Sequence, residues 1–142
     1  MATIALRFGE HFAPDEGTIA AHQEIIDKYG YVWYGKLGRA ISSKIACEIK
    51  ENKSPKILLM QSGKGICYWA YVDDVIFEVP TREEIPQYYR SKAEDFKTWF
   101  KIRKFEKADS KVKSECSVVS SGKTLAEASK RSMSPFFIIK LD

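Results

Sequence analysis

The stretch that decides the fold reads Ile66-Cys67-Tyr68-Trp69-Ala70-Tyr71-Val72-Asp73-Asp74-Val75-Ile76-Phe77-Glu78-Val79. Its aromatic and β-branched residues favour a long strand, and the two acids in its middle predict a β-bulge. The apolar run from Lys56 to Met60 is typical of a buried strand, and the turn at 62–65 joins the two. The chain is therefore predicted to be built on a β-sheet that starts from this hairpin.

Further strands and helices are predicted on both sides of the hairpin. The residues before it predict strands at 3–8 and 31–35, a helix from Asp15 or Thr18 to about Lys28 that stops at Gly30, and a helix that opens at Ser42 or Ser43. The residues after it predict strands at 98–105 and 135–141, a short helical turn at 82–90, and a capping box of Thr124 and Glu127 that opens one or two helical turns. The segment from Ala108 to Ser121 is polar and has no clear pattern.

The order of these elements favours one fold class. Helices and strands do not alternate regularly, which disfavours a doubly wound parallel sheet. We expect an α+β fold in which five to six mixed strands curl into a small pseudo-barrel with two or three helices around it. At 142 residues the chain fits a single domain, residues 1–142.

Composition limits the location. No apolar run approaches the ~20 residues that cross a bilayer, and the N-terminus lacks the features of a signal peptide. The three cysteines, Cys47, Cys67 and Cys116, include no Cys-x-x-Cys pair, which argues against a disulfide framework and a structural zinc site. A cytoplasmic location without a membrane partner is expected.

Charge is unevenly distributed along the sequence. Between Arg90 and Arg131 there are 12 Lys and Arg against 6 Asp and Glu, whereas Asp73 to Glu84 contains five acids and one base. One basic face can concentrate nucleic acid on a protein whose net charge is only +4. The same pattern also fits an ordinary solvated surface of mixed charge.

The sequence gives little support to an enzyme. His22 falls near the apolar face of the first predicted helix, where a histidine is more often a packing residue than a catalyst. Pro14-Asp15 and Glu48-Ile49-Lys50 are similar to a nuclease signature, but that signature needs its Glu and Lys on a strand, and this pair falls on a predicted helix. We expect no catalytic residue, no metal site and no cofactor, and a small metal-dependent nuclease is the least favoured alternative.

Aromatic residues next to cations make a stronger case. Alternate side chains of a strand share a face, so Trp99 is grouped with Lys101 and Arg103, opposite Phe100 and Ile102. By the same rule Tyr31 and Trp33 share a face, with Lys36 and Arg39 just beyond the strand. Tryptophans beside cations suit base stacking and phosphate contact. They are equally compatible with ordinary core packing.

The layout of these segments resembles the PUA-like superfamily. The resemblance rests on Trp33-Tyr34-Gly35-Lys36, the long strand that ends in Asp73-Asp74, Pro86-Gln87-Tyr88-Tyr89, the strand at 98–102 and the terminal strand. Within the superfamily it is closest to the EVE and ASCH branches, which include domains at the N-terminus of modification-dependent restriction GTPases. The match is one of layout, without a single diagnostic motif.

The resemblance implies a pocket that accepts one flipped-out base, often a modified one, between aromatic walls. By layout Trp33, Tyr34 and Trp99 would line this base pocket, and Lys36, Arg39, Lys101 and Arg103 would contact the nucleic-acid backbone. The implied function is a DNA- or RNA-binding module that could read a modified base, either freestanding or attached to a motor or nuclease. A protein-interaction or regulatory domain on the same fold is the alternative.

Overall fold

Six strands form one mixed sheet in the computed structural model, which describes residues 1–11 and 13–141. The strands are β1 (Ala2–Phe8), β2 (Val32–Leu37), β3 (Lys56–Gln61), β4 (Cys67–Ile76), β5 (Phe96–Lys107) and β6 (Phe136–Lys140). Their order across the sheet is β2-β5-β4-β3-β1-β6, with β1 and β3 parallel and all other neighbours antiparallel. The predicted mixed α+β sheet is confirmed. The β4–β5 register shifts between Tyr71 and Asp74, at the predicted bulge.

The two edge strands of the sheet approach each other. The Lys36 Nζ on β2 lies 4.4 Å from the centre of the Phe136 ring on β6, although β2 and β6 are at opposite ends of the strand order. The sheet therefore curls into the expected partial barrel, and the gap between its edges leaves room for a cavity.

Within the described part of the chain, four α-helices connect the strands: α1 (Thr18–Tyr29), α2 (Ser43–Glu51), α3 (Val112–Glu115) and α4 (Leu125–Arg131). The predicted caps at Ser42 and Thr124 are confirmed, since each side chain accepts a hydrogen bond of 3.2 Å from the backbone N–H three residues later. The predicted cap of α1 is wrong: its N-cap is Gly17, and the carboxylate of Glu10 accepts from the Thr18 N–H at 3.0 Å. Four helices instead of two or three arise because the segment without a pattern contains α3.

Two 3-10 segments, Arg82–Glu84 and Gln87–Asp95, replace the predicted helical turn. They pack on one face of the sheet, here called the outer face, while α1 and α2 pack on the opposite, helical face. The main core lies under α1 and α2. On the outer face, a second cluster lies against α3 and α4 and a third under the 3-10 segments. The second of these segments, Gln87–Asp95, supplies one wall of the site described next.

Candidate functional site

A cavity of about 280 Å³ opens between β1, β2, the start of α1 and the 3-10 segment Gln87–Asp95. This volume is near the lower end for ligand pockets, which range from ~300 to 1,000 Å³. Among the described residues, five aromatic side chains line it: Tyr34, Tyr88, Tyr89 and Phe96, which form one wall, and Phe8. Arg7, Lys36 and Lys92 also line it. An aromatic cavity with cations around it can hold a flat, electron-rich group.

The aromatic wall is held together by ring contacts. Tyr89 stacks on Phe96 with ring centres 4.7 Å apart and planes 29° apart, and Tyr88 meets Tyr89 edge-on at 4.8 Å. Tyr34 completes the set at 6.4 Å from Tyr89. Rings at these separations attract each other beyond their area burial, so the wall is prearranged.

The tyrosine hydroxyls of this wall remain protonated. Burial raises the pKa of Tyr34, Tyr88 and Tyr89 above the ordinary value for tyrosine. The Tyr88 hydroxyl interacts by hydrogen bonds with Thr18 and Tyr89, and these contacts act in the opposite direction on its pKa. The wall therefore offers neutral O–H groups that both donate and accept hydrogen bonds.

His22 supports the wall from behind. Its ring lies 4.9 Å from Tyr34 and 5.0 Å from Tyr89, and its Nδ1 lies 2.8 Å from the Thr18 carbonyl oxygen. Because a carbonyl only accepts, Nδ1 carries the proton, and Nε2 has no partner among residues 1–11 and 13–141. Burial lowers the pKa of His22 to about 4. His22 is thus a neutral packing residue of the wall, as its place on α1 predicts.

Lys36 brings a positive charge into the cavity. Its Nζ donates to the carbonyl of Arg39 at 2.6 Å, and burial lowers its pKa. No carboxylate of the described residues lies within ion-pair distance of it. The Nζ also donates to the carbonyl of Leu37 at 3.4 Å, so one of its three N–H groups remains as a donor, without an acid to neutralise the charge.

Five of the predicted site residues lie in three different environments. Tyr34 and Lys36 line the cavity, and Arg39 is exposed in the turn that follows β2. Lys101 lies on the outer face with its Nζ 4.3 Å from the Tyr31 ring centre, and Arg103 forms an ion pair of 2.7 Å with Asp73. Lys101 and Arg103 therefore do not belong to the cavity.

Trp33 and Trp99, the predicted walls of the base pocket, are not among the residues that line this cavity. Trp99 is fully buried against Phe96 and Tyr89, and Trp33 is buried with its Nε1 donating to Glu84 at 3.2 Å. The alternation rule gave their face correctly, but the 3-10 segments cover that end of the outer face.

Sequence reasoning assigned no role to Tyr88, Tyr89 and Phe96. Pro86-Gln87-Tyr88-Tyr89 contributed only to the resemblance in layout. The available signal was the pair of adjacent tyrosines inside an otherwise polar segment, since two large aromatic residues there need something to pack against.

The residues of the nuclease alternative have other contacts in the structure. Glu48 and Lys50 lie on α2, as predicted, where the Glu48 carboxylate accepts from the Ala2 N–H at 3.0 Å and Lys50 pairs with Asp74 at 3.6 Å. Within residues 1–11 and 13–141, no group of three or more His, Cys, Asp and Glu side chains could hold a metal ion. None of the helices there is both long enough and apolar enough to cross a membrane.

Fold and cavity together define a small curled-sheet domain with an aromatic pocket between the sheet edges. The Pua-like family model matches residues 4–136, so the chain belongs to the Pua-like family, and the predicted resemblance to the PUA-like superfamily is confirmed. The family points to a nucleic-acid-binding type of fold. No curated protein and no solved structure matched this chain.

Proposed function

We propose that this protein binds DNA or RNA without catalysis and takes one base, in particular a modified base, into the cavity walled by Tyr34, Tyr88, Tyr89 and Phe96. The observation that supports this most is the set of prearranged rings around a space of about 280 Å³, beside the buried cation Lys36. The likeness to the EVE and ASCH branches points the same way. A cytoplasmic location would give such a reader access to nucleic acid.

The chemistry of the wall suits a base. Base faces stack on aromatic rings at ~1–3 kcal/mol per base, which can offset the few kcal/mol that extrusion of a base costs. The O–H groups of the tyrosines can pair with base-edge donors and acceptors, and Lys36 can donate to a carbonyl oxygen of the base. A methyl group on the base would add apolar contact with the rings.

The test compares oligonucleotides that differ in one base. Fluorescence anisotropy with labelled duplex and single-stranded probes, each with or without one 5-methylcytosine or N6-methyladenine, measures affinity for the parent and for Tyr88→Ala. We expect the parent to prefer at least one modified probe and Tyr88→Ala to lose that preference. Tyr29→Ala, at an exposed tyrosine near the end of α1, is the matched control and should keep it.

Two results would overturn the proposal. One is equal affinity of the parent for every modified and unmodified probe. The other is a preference that survives in Tyr88→Ala. Tyr88→Phe separates the two features of this side chain, because it keeps the ring and removes the hydroxyl that reaches Thr18 and Tyr89.

A further inference from the structure

The middle of the outer face lies between the 3-10 segments on one side and α3 and α4 on the other, and these elements cover only its margins. Tyr31 packs beside the 3-10 segments, where its hydroxyl donates to Glu84 at 2.6 Å, and Trp69 packs beside the cluster under α3 and α4. The middle of the face presents three partly exposed rings, Tyr31, Trp69 and Tyr71, which lie outside the cavity lining. Trp69 and Tyr71 are two positions apart on the central strand β4 and so share a face. We call the surface formed by these rings and the cations beside them the open sheet face.

Each ring of the open sheet face has a cation close to it. The Lys56 Nζ lies 4.2 Å from the Trp69 ring centre, and the Lys101 Nζ lies 4.3 Å from that of Tyr31. Arg103 and Lys104 both lie 5.5 Å from the ring centre of Tyr71. A cation beside an exposed ring contributes less interaction free energy than a base stacked on that ring. An arriving base can therefore displace the cation toward a neighbouring phosphate.

The charge around the open sheet face favours an anionic partner. Lys56 and Lys101 lie within ion-pair distance of no carboxylate in the described part of the chain. Near Trp69 the face meets the segment 107–113, since Ala108 packs in the same cluster as Trp69. Face and segment together carry more cations than acids even without Lys107, which lies on the helical side with Tyr68 and Phe105. The cations are Lys56, Lys101, Arg103, Lys104, Lys111 and Lys113, and the acids are Asp73, Glu84, Glu106 and Asp109.

From this arrangement we infer that the open sheet face is a binding surface for single-stranded nucleic acid, separate from the cavity. Aromatic residues on the central strands of an open sheet are a known way to stack two or three bases of a single strand. Cations interleaved with the rings follow the backbone phosphates. An acidic peptide would satisfy the cations but leave the three rings without stacking partners. The inference does not depend on a base entering the cavity.

Tryptophan emission provides a direct readout of this surface. Trp33 and Trp99 are buried under the 3-10 segments, whereas Trp69 is partly exposed. Titration with unmodified dT12 and U12 should therefore quench the emission through Trp69. Trp69→Phe should still bind labelled dT12, as measured by anisotropy, but its tryptophan emission should no longer be quenched.

Affinity of the variants tests the rings and the cations separately. Tyr71→Ala and Trp69→Ala should each weaken dT12 binding by at least about fivefold, the lower end for loss of one stacked base. Tyr29→Ala is the control, because Lys28 lies 5.3 Å from the Tyr29 ring in the same kind of pair, but on α1. Lys104→Glu should weaken binding and make the salt dependence shallower, by about 0.7 in slope for each lost phosphate contact. Lys44→Glu, at an exposed position of α2, should change neither the affinity for dT12 nor its salt dependence.

Several outcomes would overturn the inference. The first is that the parent binds neither dT12 nor U12, and the second is that Tyr71→Ala binds dT12 with the affinity of the parent. The third is that Tyr29→Ala loses as much dT12 affinity as Tyr71→Ala does. The fourth is that a polyglutamate peptide binds and the oligonucleotides do not. The ratio of dT12 to U12 affinity shows which sugar is preferred. Affinity for dT12 and preference for a modified probe are separate measurements, and only the first should depend on Tyr71, so failure of the cavity proposal and failure of this one are distinguishable.

Discussion

Gly35 on β2 lies directly under the ring of Phe96, so closely that a β-carbon at position 35 would be 2.8 Å from the Phe96 Cγ. No other residue type allows this approach, and the approach brings Phe96 against the cavity next to Tyr89. The glycine in Tyr34-Gly35-Lys36 therefore fixes one wall of the candidate site.

Gly35→Ala should lower the free energy of unfolding by about 1–3 kcal/mol, the usual cost of forcing an extra carbon into a packed site. It should also weaken modified-base binding, because Phe96 must move. Urea denaturation and anisotropy measure the two effects. Gly65→Ala is the control, since a β-carbon at position 65 would meet no atom within 4 Å and the change should be nearly neutral. A neutral Gly35→Ala would contradict the assigned packing.

The strands and most helix boundaries followed from local patterns. The bulge at Asp73-Asp74, the caps at Ser42 and Thr124 and the stop at Gly30 depend on residues next to each other in sequence, and all four were predictable. The cap of α1 was not predictable, because the carboxylate that accepts from the Thr18 N–H belongs to Glu10, eight residues earlier in the chain.

The site was predictable only in part, for a similar reason. Alternation along β5 puts Trp99 opposite Phe100, which is correct, but it says nothing about what covers each face. The cover comes from the 3-10 segment with Tyr89, and its packing on Trp99 is a tertiary contact without a periodic pattern. The same segment supplies the cavity wall. Its packing, which has no signal in the sequence pattern, therefore explains both why Trp99 is buried away from the cavity and why Tyr88 and Tyr89 were not assigned to it.

The two kinds of tryptophan should differ in their contribution to stability. Trp99→Ala removes a fully buried ring and should cost about 3–5 kcal/mol, whereas Trp69→Ala removes a partly exposed ring and should cost much less. Denaturant unfolding followed by circular dichroism gives both values. Equal costs would show that Trp69 is as tightly packed as Trp99.

His22 should make stability depend on pH. Its pKa is about 4 in the folded protein and 6.5 when unfolded, so the unfolded chain binds more protons between these values. The contribution of His22 to the free energy of unfolding is therefore fully present above pH 6.5. It is lost as the pH falls toward 4, by up to about 3 kcal/mol. His22→Phe keeps a ring against Tyr34 and should flatten this slope.

Unfolding free energies of parent and His22→Phe, measured between pH 7 and pH 4, provide the comparison. His11→Gln changes the other histidine, which is exposed, and should leave the slope as it is in the parent. A slope retained in His22→Phe would assign the acid sensitivity to other groups.

Replacement of Lys36 should weaken base binding while it leaves stability nearly unchanged. Removal of a buried cation relieves its desolvation, while the loss of its hydrogen bond to Arg39 and its contact with Phe136 acts against this. Lys36→Met keeps the length of the side chain, so we expect the free energy of unfolding to stay within about 1 kcal/mol of the parent. Base binding should nevertheless fall by about tenfold, the effect of one charge-assisted hydrogen bond.

Urea denaturation and anisotropy on the same Lys36→Met preparation measure both quantities. Lys44→Met, at an exposed position of α2, removes an equal charge outside the cavity. It should leave both the free energy of unfolding and the affinity for the base unchanged. If Lys36→Met lost several kcal/mol of stability, the lysine would be a structural link between β2 and β6. If it kept full affinity, the charge in the cavity would have no part in binding, and the aromatic wall alone would have to account for it.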